Sequence, residues 1–205
     1  PVNLRALGVD MYSLSGHKSH GPKGIGALYV KKGASVHPLL YGGGQEKGFR
    51  SGTENTPLVF SFASAAEQYM SACAENNSKK RGLIEYLERL LTDNIANSVT
   101  ITDLSNCAPH ILTVAFDGVR GEVVSHELEK SDILVGIGSA CSSPRESRFK
   151  NLLGLDANHR DGIGRFSVSE VTTRADMESV APATAHAVQR TTSSAAKHIT
   201  TRQRW

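Results

Sequence analysis

Aromatic residues are scarce in this chain, at 6% of 205 residues with a single tryptophan. Together with an apolar share of 39% and a charged share of 21%, that describes a globular domain somewhat poor in core-building side chains. No apolar run approaches the roughly 20 residues that a membrane-spanning helix needs. No leader of secretory type opens the chain, and Pro1-Val2-Asn3 running straight into Leu4-Arg5-Ala6-Leu7 reads as a truncated start. Cysteine is rare as well. Cys73, Cys107 and Cys141 are odd in number and far apart, so they fit neither a zinc knuckle nor a disulfide framework, and a reducing compartment (cytoplasm or mitochondrial matrix) is expected. His37, His126, His159, His186 and His198 lack metal-ligand spacing, so no metal is assigned. A net charge of +3 is too small to argue for nucleic acid. Internal repeats are lacking too.

The residues that are present divide into three stretches. Residues 1–75 begin with an apolar strand (Val9 to Leu14), a turn, and a second strand (Gly26 to Val30), then a glycine-rich loop and a helix from about Pro57 to Cys73. Pro57 in the first turn, with Thr56 as its cap, supports that helix start. A polar cluster, Glu75-Asn76-Asn77-Ser78, is expected to break the chain. Residues 76–180 follow with Leu83, Ile84, Leu87, Leu90, Leu91 and Ile95 at helical spacing between Lys79 and Asn97. Strands are expected at Ile111–Phe116, Ile133–Ile137 and Arg165–Val171, and helices at Gly121–Lys130, Glu146–Leu153 and from Thr173. Thr173 and Asp176 supply a cap for the last. Residues 181–205 contain no acid, and Ala, Ser and Thr dominate among Arg190, Lys197, Arg202 and Arg204. That composition suits either a frayed helix or a disordered basic arm.

Chemistry concentrates first in Ser15-Gly16-His17-Lys18-Ser19-His20-Gly21. A lysine at a strand end among small residues suits an amine that forms an imine with a carbonyl cofactor. Ser15 and His17 stand ready to hydrogen-bond an anionic tail. The alternative is a solvated lysine in a glycine-rich turn. The second concentration is Cys141, between Gly138-Ser139-Ala140 and Ser142-Ser143-Pro144, residues that build no core. Arg145 and Arg148 follow closely and favour a thiolate. A lone cysteine is otherwise a small buried hydrophobe, the role expected for Cys73, while Cys107 falls in a polar turn.

These strings resemble the cysteine desulfurases of the class V aminotransferase group, close relatives of which are selenocysteine lyases. The lysine segment matches the family's pyridoxal-phosphate (PLP) lysine. Gly42-Gly43-Gly44-Gln45-Glu46 and Arg50-Ser51-Gly52-Thr53-Glu54-Asn55-Thr56-Pro57 match its GGGQE and GTEN stretch. Ala108-Pro109-His110-Ile111-Leu112, Gly138-Ser139-Ala140-Cys141, Gly164-Arg165-Phe166-Ser167 and Thr172-Thr173 follow in the family's order, from about residue 6 to 180.

The resemblance implies an α/β, fold type I PLP enzyme, of which this chain carries the end of the large domain (1–75), the small domain (76–180) and a basic tail (181–205). It implies Lys18 and Cys141 as catalytic residues, with Ser15, His17, Lys18 and Thr53 on the cofactor. Thr53 would reach the phosphate of a partner subunit in a homodimer. Arg165 would grip the carboxylate of L-cysteine or L-selenocysteine. The implied reaction removes sulfur from L-cysteine, leaving alanine and a persulfide on Cys141 for a sulfur-acceptor protein in iron-sulfur or thio-cofactor assembly. Only seventeen residues precede Lys18. The phosphate loop, the ring-stacking histidine and the ring-nitrogen aspartate therefore have no candidates upstream. This leaves association with an N-terminal half or a larger complex, or an inactive scaffold. His110 where the family writes Asn, and Glu170 where it commonly writes Arg, are departures that put a local hydrogen bond and an anion or ion-pair contact in question.

Overall fold

The first apolar run folds as β1 (Met11–Ser15), paired antiparallel with β2 (Gly26–Val30) from Met11↔Val30 to Ser15↔Gly26. The computed structural model describes residues 2–137 and 153–202, with side chains as far as 192. Two units are distinguished, Pro1–Glu75 and Asn76–Trp205.

In the first unit, one helical turn, α1 (Leu4–Leu7), precedes the hairpin. Asn3 caps it by accepting from the Arg5 and Ala6 amides, and Gly8 closes it at φ 66°. That closure is why β1 starts two residues later than Val9. Helix α2 (Thr56–Ser71) carries Pro57 in its first turn, as expected, but its cap is Asn55 rather than Thr56. The Asn55 side chain accepts from the Leu58 amide at 3.2 Å. No parallel strand pair occurs among the described residues. Gly16 and Cys73 are the only buried residues described between 2 and 75, and Leu28 and Phe60 stay 56% and 77% exposed.

The two units divide at Glu75 and Asn76, inside the polar cluster where the break is expected, but the backbone there is helical rather than a loop. Helix α3 (Cys73–Asn94) begins directly after Ala72 and carries that cluster in its opening turns. There Glu75 complements the positive helix end, and Asn and Ser cost least at a helix start. The apolar stripe further along α3 then holds the helix by burial.

In the second unit, β3 (Val99–Thr100), β4 (Ile111–Ala115) and β5 (Ile163–Ser167) form an antiparallel sheet in that order. Alternation along β4 and β5 puts Leu112, Val114 and Phe166 on one face. They join Leu83, Ile84, Leu87 and Leu91 of α3, Val124 and Leu128 of α4 (Gly121–Glu129), and Met177, Ala181 and Val188 of α5 (Arg174–Arg202) in one core. Each of the larger side chains among them contributes about 1.5–3 kcal/mol by leaving water. Thr173 and Asp176 form the expected reciprocal cap of α5: the Thr173 amide donates to Asp176 Oδ2 at 2.7 Å and the Asp176 amide to Thr173 Oγ1 at 3.3 Å. The segment left open between frayed helix and disordered arm continues α5 as helix to Arg202.

Two expected strands differ. Ile133–Ile137 is not a strand. Only Gly136 bridges, to Arg165, while Leu134 stands 82% exposed and Ile133 and Val135 lean on the core. The strand expected at Arg165–Val171 is β5, begun earlier at Ile163, where β4 offers a partner in Ala115. Cys141, Arg145 and Arg148 lie outside the described residues, as does all but the end of the helix expected at Glu146–Leu153.

Candidate active site

Lys18 sits on a single 3-10 turn, Gly16–Ser19, that closes β1. The turn is organised around Gly16. Its amide donates to the Ile25 carbonyl at 2.9 Å, and its carbonyl accepts from Ser19 Oγ at 3.1 Å and from the Gly21 amide at 3.0 Å. A Cβ on Gly16 would stand 2.9 Å from Ile25 Cγ2 and 3.0 Å from the Ile25 carbonyl, so a side chain there must displace Ile25. His20 follows in the left-handed region at φ 60° and turns the chain back. Ser15, His17 and Lys18 are all exposed around this locked backbone. Sequence reading marks the lysine but not the glycine hub beneath it; the signal was a glycine directly after a strand.

Thr53 lies in a separate exposed loop that is braced across itself. Ser51 Oγ donates to the Gly43 carbonyl at 2.8 Å and the Gly52 amide donates to Gln45 Oε1 at 3.2 Å. Glu46 and Lys47 both take left-handed backbone, at φ 51° and 58°, followed by Gly48 at 82°. Non-glycine residues hold that conformation at a cost and only where neighbours enforce it.

Arg165 belongs to the second unit, in the middle of β5. Its register partner on β4 is Thr113, yet its own amide and carbonyl face the other way. The Arg165 amide donates to the Gly136 carbonyl at 2.7 Å, and the Gly136 amide donates to the Arg165 carbonyl at 3.0 Å. Alternation puts the Arg165 side chain on the face opposite Phe166 and its core.

The two departures noted in the sequence meet in one place. Glu170 accepts from Lys80 of α3, Nζ to Oε1 at 2.5 Å, and its carbonyl accepts from Lys79 Nζ at 2.6 Å. The acid therefore joins an ion pair. The His110 imidazole lies near both charges. Desolvation holds it below its ordinary pKa, Lys80 pushes the same way and Glu170 pulls back. The His110 carbonyl accepts from the Val168 amide at 3.0 Å, which extends the β4–β5 ladder past its end.

His159 supplies a second charged contact. Its Nδ1 lies 2.7 Å from Asp156 Oδ1 and its Nε2 lies 2.6 Å from the Asn97 carbonyl. Two acceptors for two ring nitrogens favour the imidazolium, and the Asn97 bond and then Asp156 raise the pKa accordingly.

The aminotransferase class-V model matches residues 1–180. The chain belongs to that family. It is 40% identical over 182 residues to a cysteine desulfurase of Gluconacetobacter diazotrophicus, covering 88% of this chain and 46% of that one. With a cysteine desulfurase of Sinorhizobium fredii it shares 37% over 182 residues, covering 88% and 47%. Among solved structures, a NifS-like protein superposes with a TM-score of 0.79 at 30% identity over 92% of this chain and 49% of that one. The NifS-like protein of Rickettsia africae gives 0.80 at 27% over 92% and 50%. This class-V chain thus has the α/β fold of the desulfurase-like branch. It spans about half the length of the curated relatives it matches.

Against that family's cofactor, the donor set at Lys18 is chemically suited. An exposed amine on a rigid turn can condense with an aldehyde, and an adjacent hydroxyl and imidazole can receive a phosphate. No helix among the described residues is long and apolar enough to cross a membrane.

Proposed function

We propose that this chain is the lysine- and cysteine-bearing portion of a PLP-dependent cysteine desulfurase. The observation that carries the reading is Lys18, exposed on a turn whose backbone Gly16 locks, in a chain 40% identical to a cysteine desulfurase. Residues 1–75 act as the end of the cofactor domain, 76–180 as the small domain, and 181–205 as a basic tail.

In this reading Lys18 holds the cofactor aldehyde, Ser15 and His17 receive its phosphate, and Thr53 reaches the phosphate of a second subunit. When bound, the cofactor supplies an electron sink for the substrate α-carbon. Arg165 orients the substrate through its carboxylate, two N–H groups to two oxygens. Lys18, released, carries the α-proton. Cys141 takes the sulfur as a persulfide, the carbon–sulfur bond breaking to leave alanine, and an acceptor protein then removes it.

A second reading, a scaffold that keeps the fold without turnover, is favoured by the departures at His110 and Glu170, the latter committed to an ion pair with Lys80. The test is to incubate the chain with PLP, reduce with borohydride and locate the adduct by mass spectrometry, then assay alanine release from L-cysteine. An adduct on Lys18 with alanine release supports the enzyme. Neither, with the fold intact, supports the scaffold.

A further inference from the structure

Gly136 has no role in the family resemblance, and its surroundings in the second unit are unusual. Among the described residues its two backbone hydrogen bonds go to Arg165, at 3.0 and 2.7 Å, as an isolated bridge. A Cβ built on Gly136 would meet three atoms of one group: Arg165 Nη2 at 2.7 Å, Cζ at 3.1 Å and Nε at 3.1 Å. The guanidinium therefore lies against the glycine, in the space a side chain would take. Gly136 does not need glycine for its backbone, because its φ lies outside the left-handed region. Among the described residues, the Arg165 guanidinium is what a side chain at this position would meet.

A planar fork binds a carboxylate through two parallel N–H···O bonds, so its direction matters as much as its charge. A long arginine loses rotamer freedom when it is held in one orientation, and a seat that is built in advance lowers that cost at binding. Thr113, opposite Arg165 on β4, faces the flank that Gly136 does not occupy.

We propose that Gly136 is a positioning residue: it seats the Arg165 guanidinium and so sets the direction in which Arg165 presents its fork to the substrate carboxylate. The carboxylate role rests on the function proposed above; the seat itself does not.

The test has two parts, both on the full chain. The first is a double-mutant cycle of Gly136→Ala, Arg165→Ala and the pair, read by denaturant midpoint. Alanine at 136 clashes only with the far end of a side chain, so the variant is expected to fold. Shortening Arg165 should relieve the clash, giving a pair clearly less destabilised than the sum of the singles. The second part titrates 15N-arginine-labelled chain with L-alanine, the carboxylate product without a thiol, following the arginine Nε–Hε resonances. Wild type should show a saturable Arg165 shift, weakened about tenfold or more in Gly136→Ala with the fold unchanged. A role in stability alone would lower the midpoint and leave the alanine affinity where it was. Additive singles, or wild-type affinity in Gly136→Ala, overturn the proposal. No saturable shift of the Arg165 resonance in wild type overturns the carboxylate reading itself.

Discussion

Lys80 and Glu170 join α3 to the chain just past β5, with side chains only 7% and 25% exposed. A pair this enclosed depends on both members, because removing one strands a charge away from water. Lys80→Met should therefore destabilise the chain by about 2–3 kcal/mol in urea titration, less than for a fully buried pair because Glu170 keeps some water. The double variant Lys80→Met/Glu170→Leu should recover most of that loss. A double variant no more stable than Lys80→Met would show that the pair is not an isolated unit.

The His159 contacts give a pH dependence with a definite sign. Its pKa is raised in the fold, so its contribution is complete below the ordinary histidine value and is lost as pH rises through the raised one. Asp156 is held below its usual range, first by the His159 side chain, so its share is present above the ordinary carboxylate value and fades as pH falls toward the lowered one. His110 is shifted downward and works against His159 over neutral pH. The clean measurement is the Tm difference between wild type and His159→Gln. It should be larger at pH 6 than at pH 8.5. An equal difference at both would mean that the imidazolium is not the stabilising form.

Cysteine accessibility separates two of the three thiols. Cys73 is 4% exposed, whereas Cys107 is partly exposed and its sulfur accepts from Arg81 Nη1 at 2.9 Å. Iodoacetamide at pH 7 under native conditions should label Cys107 before Cys73, with sites resolved by mass spectrometry. Cys141, among small residues and arginines in sequence, is expected to label first of all. Faster labelling of Cys73 than of Cys107 would contradict the burial described.

The lysine turn yields a stability test of its own. Gly16→Ala forces a methyl against Ile25, so it should lower thermal stability of the hairpin and reduce any PLP adduct on Lys18. Gly8→Ala places a side chain in the left-handed region with open space around it, and should cost about 1 kcal/mol without affecting Lys18. If Gly16→Ala forms the adduct as readily as wild type, the hub is not what holds Lys18.

Periodicity was legible where it was long. The Leu83–Ile95 stripe, the β4 alternation and the Thr173–Asp176 cap can all be read from residue spacing alone, and each has a local cause. What could not be read depends on local backbone geometry or on partners distant in sequence. Asn55 outcompetes Thr56 as a cap because its carbonyl reaches the Leu58 amide, a matter of backbone geometry. The cluster at 75–78 marks the division between the two units, as its composition suggests, but not the helix that runs through it, which the buried stripe downstream carries. Glu170 reads as a lost cation until Lys80, ninety positions earlier, is placed beside it. Gly136 is an unremarked glycine in an apolar run until Arg165 is laid against it.

The scarcity of buried residues between 2 and 75 has a calorimetric consequence. A two-stranded hairpin beside one helix hides little apolar surface, and the heat-capacity change of unfolding tracks the surface hidden. The second unit, with the core built from α3, α4, α5 and the β3–β4–β5 sheet, should supply nearly all of the unfolding enthalpy. Its amides in β4 and along the Leu83–Leu91 stretch should then be the slowest to exchange with deuterium, while those of β1 and β2 exchange through shallow local openings.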